Sequence, residues 1–362
     1  MKIKRCDIFR YDIPLLRPLN LMGRVITNRS GLIILVYGEK DGIGIGEVAP
    51  FPGLHKEDLA EARDYLCRVI DKITGSTIPE DLQQLRRWWD QHEKSLPPSV
   101  TYGMEQALIL LLASVRGIPL YQLLFKTYHP IVRINGLLTG NFDEIIRMAK
   151  QYIHEGYKTL KLKVGRRSLE EDIQIVKSVR STAGSETGLR LDANRSWSLE
   201  EAVRFGKAVS PCQIEYIEEP TKTFEELSGF YQQTGIPVAM DESLSDWCET
   251  GSDWPLGIRA VILKPDLIGG IFKTMEIAAR AKDSQILPVI SCSFQSGFAH
   301  AVLAQLSAGI VNPEIAVGLD TYKWFQYDIL QKPFHVKRGQ VDVRDAARIM
   351  RDLRFDLLEK ST

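Results

Sequence analysis

The sequence predicts an α/β barrel preceded by a β-then-α segment, and two independent periodicities carry that reading. Asp192, Glu218 and Asp241 each close a short apolar run and follow one another at intervals of 26 and 23 residues. A strand, its loop and a helix together take roughly two to three dozen residues, so the three acids fall at one position of successive βα units. Helix-start signatures repeat with a similar period. Asn141-x-x-Glu144, Ser168-x-x-Glu171, Ser198-x-x-Glu201 and Thr223-x-x-Glu226 each set an oxygen acceptor three residues before a carboxylate that can reciprocate. Strand-end acids and helix-start caps are different signals, and their agreement makes the barrel reading independent of either.

Taken in order, residues 1 to about 50 alternate apolar and polar side chains, with Asp41-Gly42 as a hairpin dipeptide, which predicts antiparallel sheet. Gly42, Gly44 and Gly46 lack the Gly-x-Gly-x-x-Gly spacing and no helix follows them, which argues against a nucleotide loop. From His55 to about Leu124 apolar residues recur at three- and four-residue steps, as in DLAEARDYLCRVIDKI and GMEQALILLLASVRG, and predict helices. From Ile131 the runs VRINGLL, KTLKLKV, LRLDA, QIEYIEE, IPVAMDE, AVILKP and ILPVIS are the candidate strands between the capped helices. Beyond about Gly318 the tail reads as irregular structure and short strands returning to the first segment, with no low-complexity linker between the parts. The predicted division is 1–129, 130–318 and 319–362.

The 362 residues exceed one ordinary domain of roughly 100–200 residues but suit a barrel of roughly 250 with an attachment. With 46 basic side chains against 46 acidic ones, no field invites nucleic acid, and a small molecule is the expected partner. No apolar run approaches the ~20 residues of a membrane span, and MKIKRCDIFRYDIPLL lacks a signal peptide's apolar stretch and cleavage site. The expectation is a cytoplasmic protein away from membranes. Cys6, Cys67, Cys212, Cys248 and Cys292 form no CxxC and read as reduced packing residues. The six histidines show no metal-ligand spacing, and Trp88-Trp89 read as the core side of a helix.

The chemistry lies at the strand ends. Carboxylates gathered in one barrel mouth repel one another and call for a cation. All three candidates, Asp192, Glu218 and Asp241, offer oxygen, which favours a hard divalent ion, Mg²⁺ or Mn²⁺ in its place, over zinc. In TLKLKVG the alternation puts Lys161 and Lys163 on one face and Leu160, Leu162 and Val164 on the other. Two neighbouring ammonium groups in a buried mouth are expected to have lowered pKa values, which makes Lys163, nearer the carboxyl end, a base. Lys264 in VILKPD closes a later strand and would approach the mouth from the other side, as second acid/base or as electrostatic stabiliser. A metal flanked by lysines points to proton removal beside a carboxylate, with the cation stabilising the developing charge.

KLKVG, LDANRSW, YIEEP, MDESL, ILKPDLIGG and ISCSF, in this order, resemble the enolase superfamily, muconate-lactonizing subgroup, over nearly the whole chain. The resemblance implies an α+β capping domain, built from both chain ends, over a modified TIM barrel of the (β/α)7β type. It implies Asp192, Glu218 and Asp241 as Mg²⁺ ligands, Lys163 and Lys264 as catalytic lysines, and Lys161 in support. Glu219 is the rival ligand in IEEP, and the family pattern points to Glu218. GEVAPFPG, PPSVTYGMEQAL, EEPTKT and VGLDT further resemble the o-succinylbenzoate synthase family, metal-dependent dehydratases of menaquinone biosynthesis. That likeness implies contacts from Ser291, Ser293 and Gly318 to a succinyl carboxylate.

Two other readings compete. A racemase or epimerase of N-acylamino acids or dipeptides needs the same lysines and metal. Dipeptide epimerases of this superfamily typically carry an Asp-x-Asp near the eighth strand, where Leu319-Asp320-Thr321 offers one acid. A non-catalytic metal-binding barrel would have no use for three lysines around the ion. The segment LMGRVITNRSG, with its glycines, is a candidate lid.

Overall fold

A computed structural model describes residues 1–21, 24–92, 95–251 and 253–361. Three antiparallel strands open the chain, β1 (Ile3–Leu21), β2 (Arg24–Gly38) and β3 (Ile43–Val48), with β2 between the others. The β2–β3 turn takes its left-handed geometry at Lys40 and Asp41, with φ of 58° and 55°. Two positive φ angles match the twist of the flanking strands, so the turning pair lies one residue before the Asp41-Gly42 expected. Met22 and Gly23, near the start of the candidate lid, lie outside the described residues, and the rest of that segment belongs to β1 and β2 rather than to a loop.

Helices α1 (Leu59–Ile73), α2 (Leu82–Asp90), α3 (Pro98–Arg116) and α4 (Leu120–Leu124) follow. The first begins on a capping box, Asp58 with Glu61, that the sequence reading passed over. Helix α3 is buried from Ser99 to Ala113 because it lies between the sheet and the barrel. Its approach to β3 explains the glycines: a β-carbon at Gly44 or Gly46 would stand 1.9 or 2.0 Å from the carbonyl oxygens of Ala107 and Gly103. Gly103 is equally confined, since its β-carbon would meet Val48 and the Glu47 carbonyl. Trp89 is fully buried, and Trp88 stacks on His92.

After β4 (Ile131–Arg133), the strands β5 (Gly136–Leu138), β6 (Thr159–Lys163), β7 (Gly188–Asp192), β8 (Tyr216–Glu218), β9 (Val238–Met240), β10 (Ile258–Leu263) and β11 (Leu287–Ile290) form one parallel sheet in sequential order. Between and after them run α5 (Phe142–His154), α6 (Leu169–Ala183), α7 (Leu199–Val209), α8 (Leu227–Thr234), α9 (Ser243–Thr250), α10 (Pro265–Ile268), α11 (Ile271–Asp283) and α12 (Gly297–Ile310). The sheet closes through a short eighth segment. Val317 N donates to Arg133 O (2.8 Å), Asn135 N to Val317 O (3.0 Å), Gly318 N to Ile290 O (2.8 Å) and Cys292 N to Gly318 O (3.1 Å).

Helices α5, α6 and α7 start on the three expected capping boxes at Asn141, Ser168 and Ser198. Thr223 makes no such cap, because a 3₁₀ turn over Phe224–Glu226 intervenes and α8 starts only at Leu227. The tail contributes β12 (Gln340–Asp342), α13 (Val343–Ile349) and β13 (Glu359–Lys360). Strand β13 pairs with β1, the expected return to the first segment. Strand β12 instead pairs with β4, and α13, not foreseen as a helix, packs on α12. Among the described residues no helix is long and apolar enough to cross a membrane.

Candidate active site

Parallel register assembles the site. Lys163 pairs with Asp192 across β6 and β7, and Asp192 with Glu218 across β7 and β8, so one rung carries a lysine and two acids. Asp241 and Lys264 immediately follow β9 and β10. Within β6, Leu160, Leu162 and Val164 are fully buried outward while Lys161 and Lys163 line the cleft, as the alternation requires. Lys163 and Lys264 stand four strands apart in a ring of eight, hence on opposite sides of the mouth.

The charges interlock. Lys161 Nζ lies 2.8 Å from Asp192 Oδ2 and 2.7 Å from Glu218 Oε2. Lys163 Nζ lies 2.5 Å from Asp192 Oδ2 and 2.8 Å from Asn194 Oδ1, and Lys264 Nζ pairs with Asp241 Oδ2. These contacts overturn the expectation of a lowered pKa for Lys161. Burial does oppose the charge on Lys161, but Asp192, Glu218 and Asp241 outweigh it and push its pKa well above the lysine range. Lys264 is also raised: burial pulls it down, and Asp241, Glu242 and Glu218 pull it up further. Conversely, burial would raise Asp192, but Lys161 and Lys163 hold it below the usual carboxylate range. At Lys161 the facing carboxylates outweigh both burial and the neighbouring ammonium group.

Glu218 and Glu219 are both buried yet serve different ends. Glu218 faces Lys161, and burial together with Asp192 and Asp241 pushes its pKa well above the usual range. Glu219, at φ 47°, turns away and accepts the N–H groups of Asp241 and Ser243 at 2.7 Å each and the Ser243 hydroxyl at 2.6 Å. Its carboxylate braces the loop after β9.

Among the described residues no three His, Cys, Asp or Glu side chains stand ready around a common point, since the acids are turned toward ammonium groups. The donor set itself fits a hard divalent cation. Asp192, Glu218 and Asp241 offer only oxygen donors and are at most 9% exposed.

The mouth opens into a cleft bordered by Lys161, Lys163, Asp192 and Lys264 and walled by Leu19, Phe51, Leu54, Phe294 and Trp324. Ser291, Ser293 and Gly318 border it. Both hydroxyls already donate, Ser293 to Asp266 Oδ1 (3.2 Å) and Ser291 to Gly318 O (3.4 Å). A second cavity lies between the cap sheet, α3 and α13, but none of the acids and lysines above reaches it. The sequence reading missed Asn194 and Glu242. Asn194, held at φ 46°, accepts from Lys163 and donates to Glu242 Oε1 (3.0 Å), which links Lys163 to the acid beside Asp241. The positions next to the ladder acids, in LDAN and MDES, were the available signal.

The chain belongs to the enolase superfamily: the family described as enolase C-terminal domain-like matches residues 144–347. Residues 3–111 match the MenC N-terminal domain, which places the chain in the MenC-like branch. The o-succinylbenzoate synthase of Pectobacterium atrosepticum is 30% identical over 91% of this chain and 94% of that protein. Protein PHYLLO, chloroplastic, from Arabidopsis thaliana is 32% identical over 91% of this chain, which spans only 22% of PHYLLO. Among solved structures, a dipeptide epimerase from Enterococcus faecalis complexed with Mg and L-Leu-L-Tyr superposes with a TM-score of 0.83 at 23% identity, covering 94% of this chain and 97% of that one. That likeness establishes the fold.

Proposed function

We propose that the protein is an o-succinylbenzoate synthase, dehydrating 2-succinyl-6-hydroxy-2,4-cyclohexadiene-1-carboxylate to o-succinylbenzoate. The observation that carries the reading is the pair of lysines on opposite sides of three buried strand-end acids, in a chain whose full-length relatives include that enzyme. Asp192, Glu218 and Asp241 would hold Mg²⁺, which supplies positive charge for the substrate carboxylate. Lys163, positioned by Asn194 Oδ1, removes the proton beside that carboxylate and returns it to the departing hydroxyl. Lys264 neutralises charge from the opposite side, and Lys161 bridges Asp192 and Glu218. Aromatisation makes the elimination downhill, so stabilising the anion is the main task.

An epimerase reading ranks second. Asp320, the lone acid of the Leu319-Asp320-Thr321 segment, already accepts from Tyr152, Tyr157 (3.2 Å) and Leu137 N (3.1 Å) and pairs with Lys323 (3.0 Å). It is poorly placed to receive a dipeptide's ammonium. The deciding experiment follows the diene's ultraviolet absorbance with purified protein. Loss of absorbance that depends on Mg²⁺ is expected, whereas inactivity there combined with racemisation of N-acylamino acids replaces the first reading by the second.

A further inference from the structure

The apolar wall of the cleft is built from both parts of the molecule. Phe51 and Leu54 descend from the segment between β3 and α1, and Phe294 and Trp324 belong to segments following β11 and the barrel-closing bridge. Ring centroids lie 5.5 Å apart for Phe51 and Phe294 and 5.6 Å for Phe294 and Trp324. Apolar contact is non-directional and by itself would leave the cap segment free to slide. Two buried polar side chains remove that freedom.

Arg29, 2% exposed, donates from Nε to Phe294 O (2.7 Å), from Nη1 to Ser30 O (3.0 Å) and Pro50 O (2.9 Å), and from Nη2 to Ala49 O. One planar fork thus joins the backbone on both sides of the wall. His55, with its side chain 1% exposed, accepts the Phe51 N–H at Nδ1 (2.9 Å). A ring nitrogen that accepts an amide proton carries none itself, so the proton sits on Nε2. That nitrogen lies 3.3 Å from both the main-chain O and Oδ2 of Asp266. Asp266 Oδ1 in turn accepts the hydroxyl of Ser293, which borders the cleft beside Phe294. The chain Phe51, His55, Asp266, Ser293 therefore spans from cap to barrel behind the wall and touches none of the acids or lysines of the mouth.

We infer that His55 is a positioning residue for substrate side-chain length: through Phe51 on one side and Asp266 with Ser293 on the other, it fixes the width of the pocket beyond the reacting carbon. The inference deepens the dehydratase reading and rests on it for the choice of ligand. Its test is calorimetric titration of the Mg²⁺-loaded protein with o-succinylbenzoate, with the homologue carrying one more methylene in the acyl chain, and with benzoate. Both acyl ligands bear the same charges, so their ratio reports chain length alone. One methylene in a fitted pocket is worth at least about tenfold, and the wild-type protein is expected to prefer o-succinylbenzoate by about that factor. His55→Ala should erase the preference while leaving benzoate affinity unchanged. His55→Gln, whose amide N–H reaches the Nε2 position but leaves the Phe51 N–H without its acceptor, should restore it in part. The inference is overturned if wild type shows no preference, if His55→Ala keeps it or weakens benzoate in parallel as a general loss of structure would, or if His55→Gln recovers nothing. Turnover of the diene by the same wild-type sample decides the dehydratase reading separately.

Discussion

The barrel mouth and the seam between cap and barrel both bury carboxylates, and they satisfy them in opposite ways. At the seam, Glu47 of β3 accepts the Tyr11 hydroxyl (2.5 Å) and both N–H (3.0 Å) and hydroxyl (2.5 Å) of Ser296, at the start of α12. Glu105 of α3 likewise accepts the amides of Ile271 and Phe272 (3.0 Å), the first turn of α11. Neutral donors and a helix amino terminus help to stabilise such a charge. At the mouth Asp192, Glu218 and Asp241 rely on lysines that also face an open cleft. Burial alone therefore does not mark a functional acid; the identity of its partners does. Glu218 faces Lys161, whereas its neighbour Glu219 takes two backbone amides and a hydroxyl together with Arg195 Nε (3.2 Å).

If the contrast holds, changes at the mouth remove chemistry and changes at the seam remove stability. The largest effect is expected from Lys163→Ala, which should lower kcat by about 10³-fold, within the range for a positioned general base, and leave the urea midpoint close to wild type. A large loss of stability there would break the distinction.

Glu219 sharpens it through pH. Burial and the nearby Glu242 raise its pKa from 4.5 to about 7, against the hydrogen bonds from Ser243 and Asp241. A carboxyl with a raised folded-state pKa contributes its full stability below about 4.5 and loses it as pH climbs to about 7, because the unfolded chain ionises first. The swing is about 3 kcal/mol. Subtracting the stability profile of Glu219→Gln from that of wild type should isolate this slope, and parallel profiles would show that folding leaves the Glu219 pKa unchanged.

At the seam, Glu47→Gln should cost about 2 kcal/mol, because one of its anchored donors loses its acceptor. Denaturant unfolding measures this, and a kcat reduced more than severalfold would place the seam within the catalytic apparatus. The smallest effect in free energy is assigned to Glu218→Gln, expected to weaken Mg²⁺ binding by at least about tenfold with the fold intact. Calorimetry giving an unchanged affinity would remove Glu218 from the ligand set.

Much of this architecture was legible in the sequence because periodicity survives folding. The acids and lysines mark strand ends, and Asn141, Ser168 and Ser198 mark helix starts through bonds that lie within four residues. What escaped depends on contacts between distant segments. Thr223 carries the same local pattern as its three counterparts, but its chain enters a 3₁₀ turn and no cap forms. The lysine pKa directions required knowing that Asp192 and Glu218 would stand within 3 Å of Lys161. Asn194 gains its role from a left-handed backbone, and His55 from Asp266, 211 residues away.

The glycine contact between β3 and α3 has a consequence for how this chain can vary. With only hydrogen accommodated at Gly44, Gly46 and Gly103, the strand rests on the helix at a spacing no larger residue permits. Glu47 sits between two of the groups so confined, and its reach to Ser296 is set by that spacing. Descendants of this sequence can diversify the outward face of the cap freely, but a methyl group at any of the three sites would lift the strand and loosen the grip of cap on barrel.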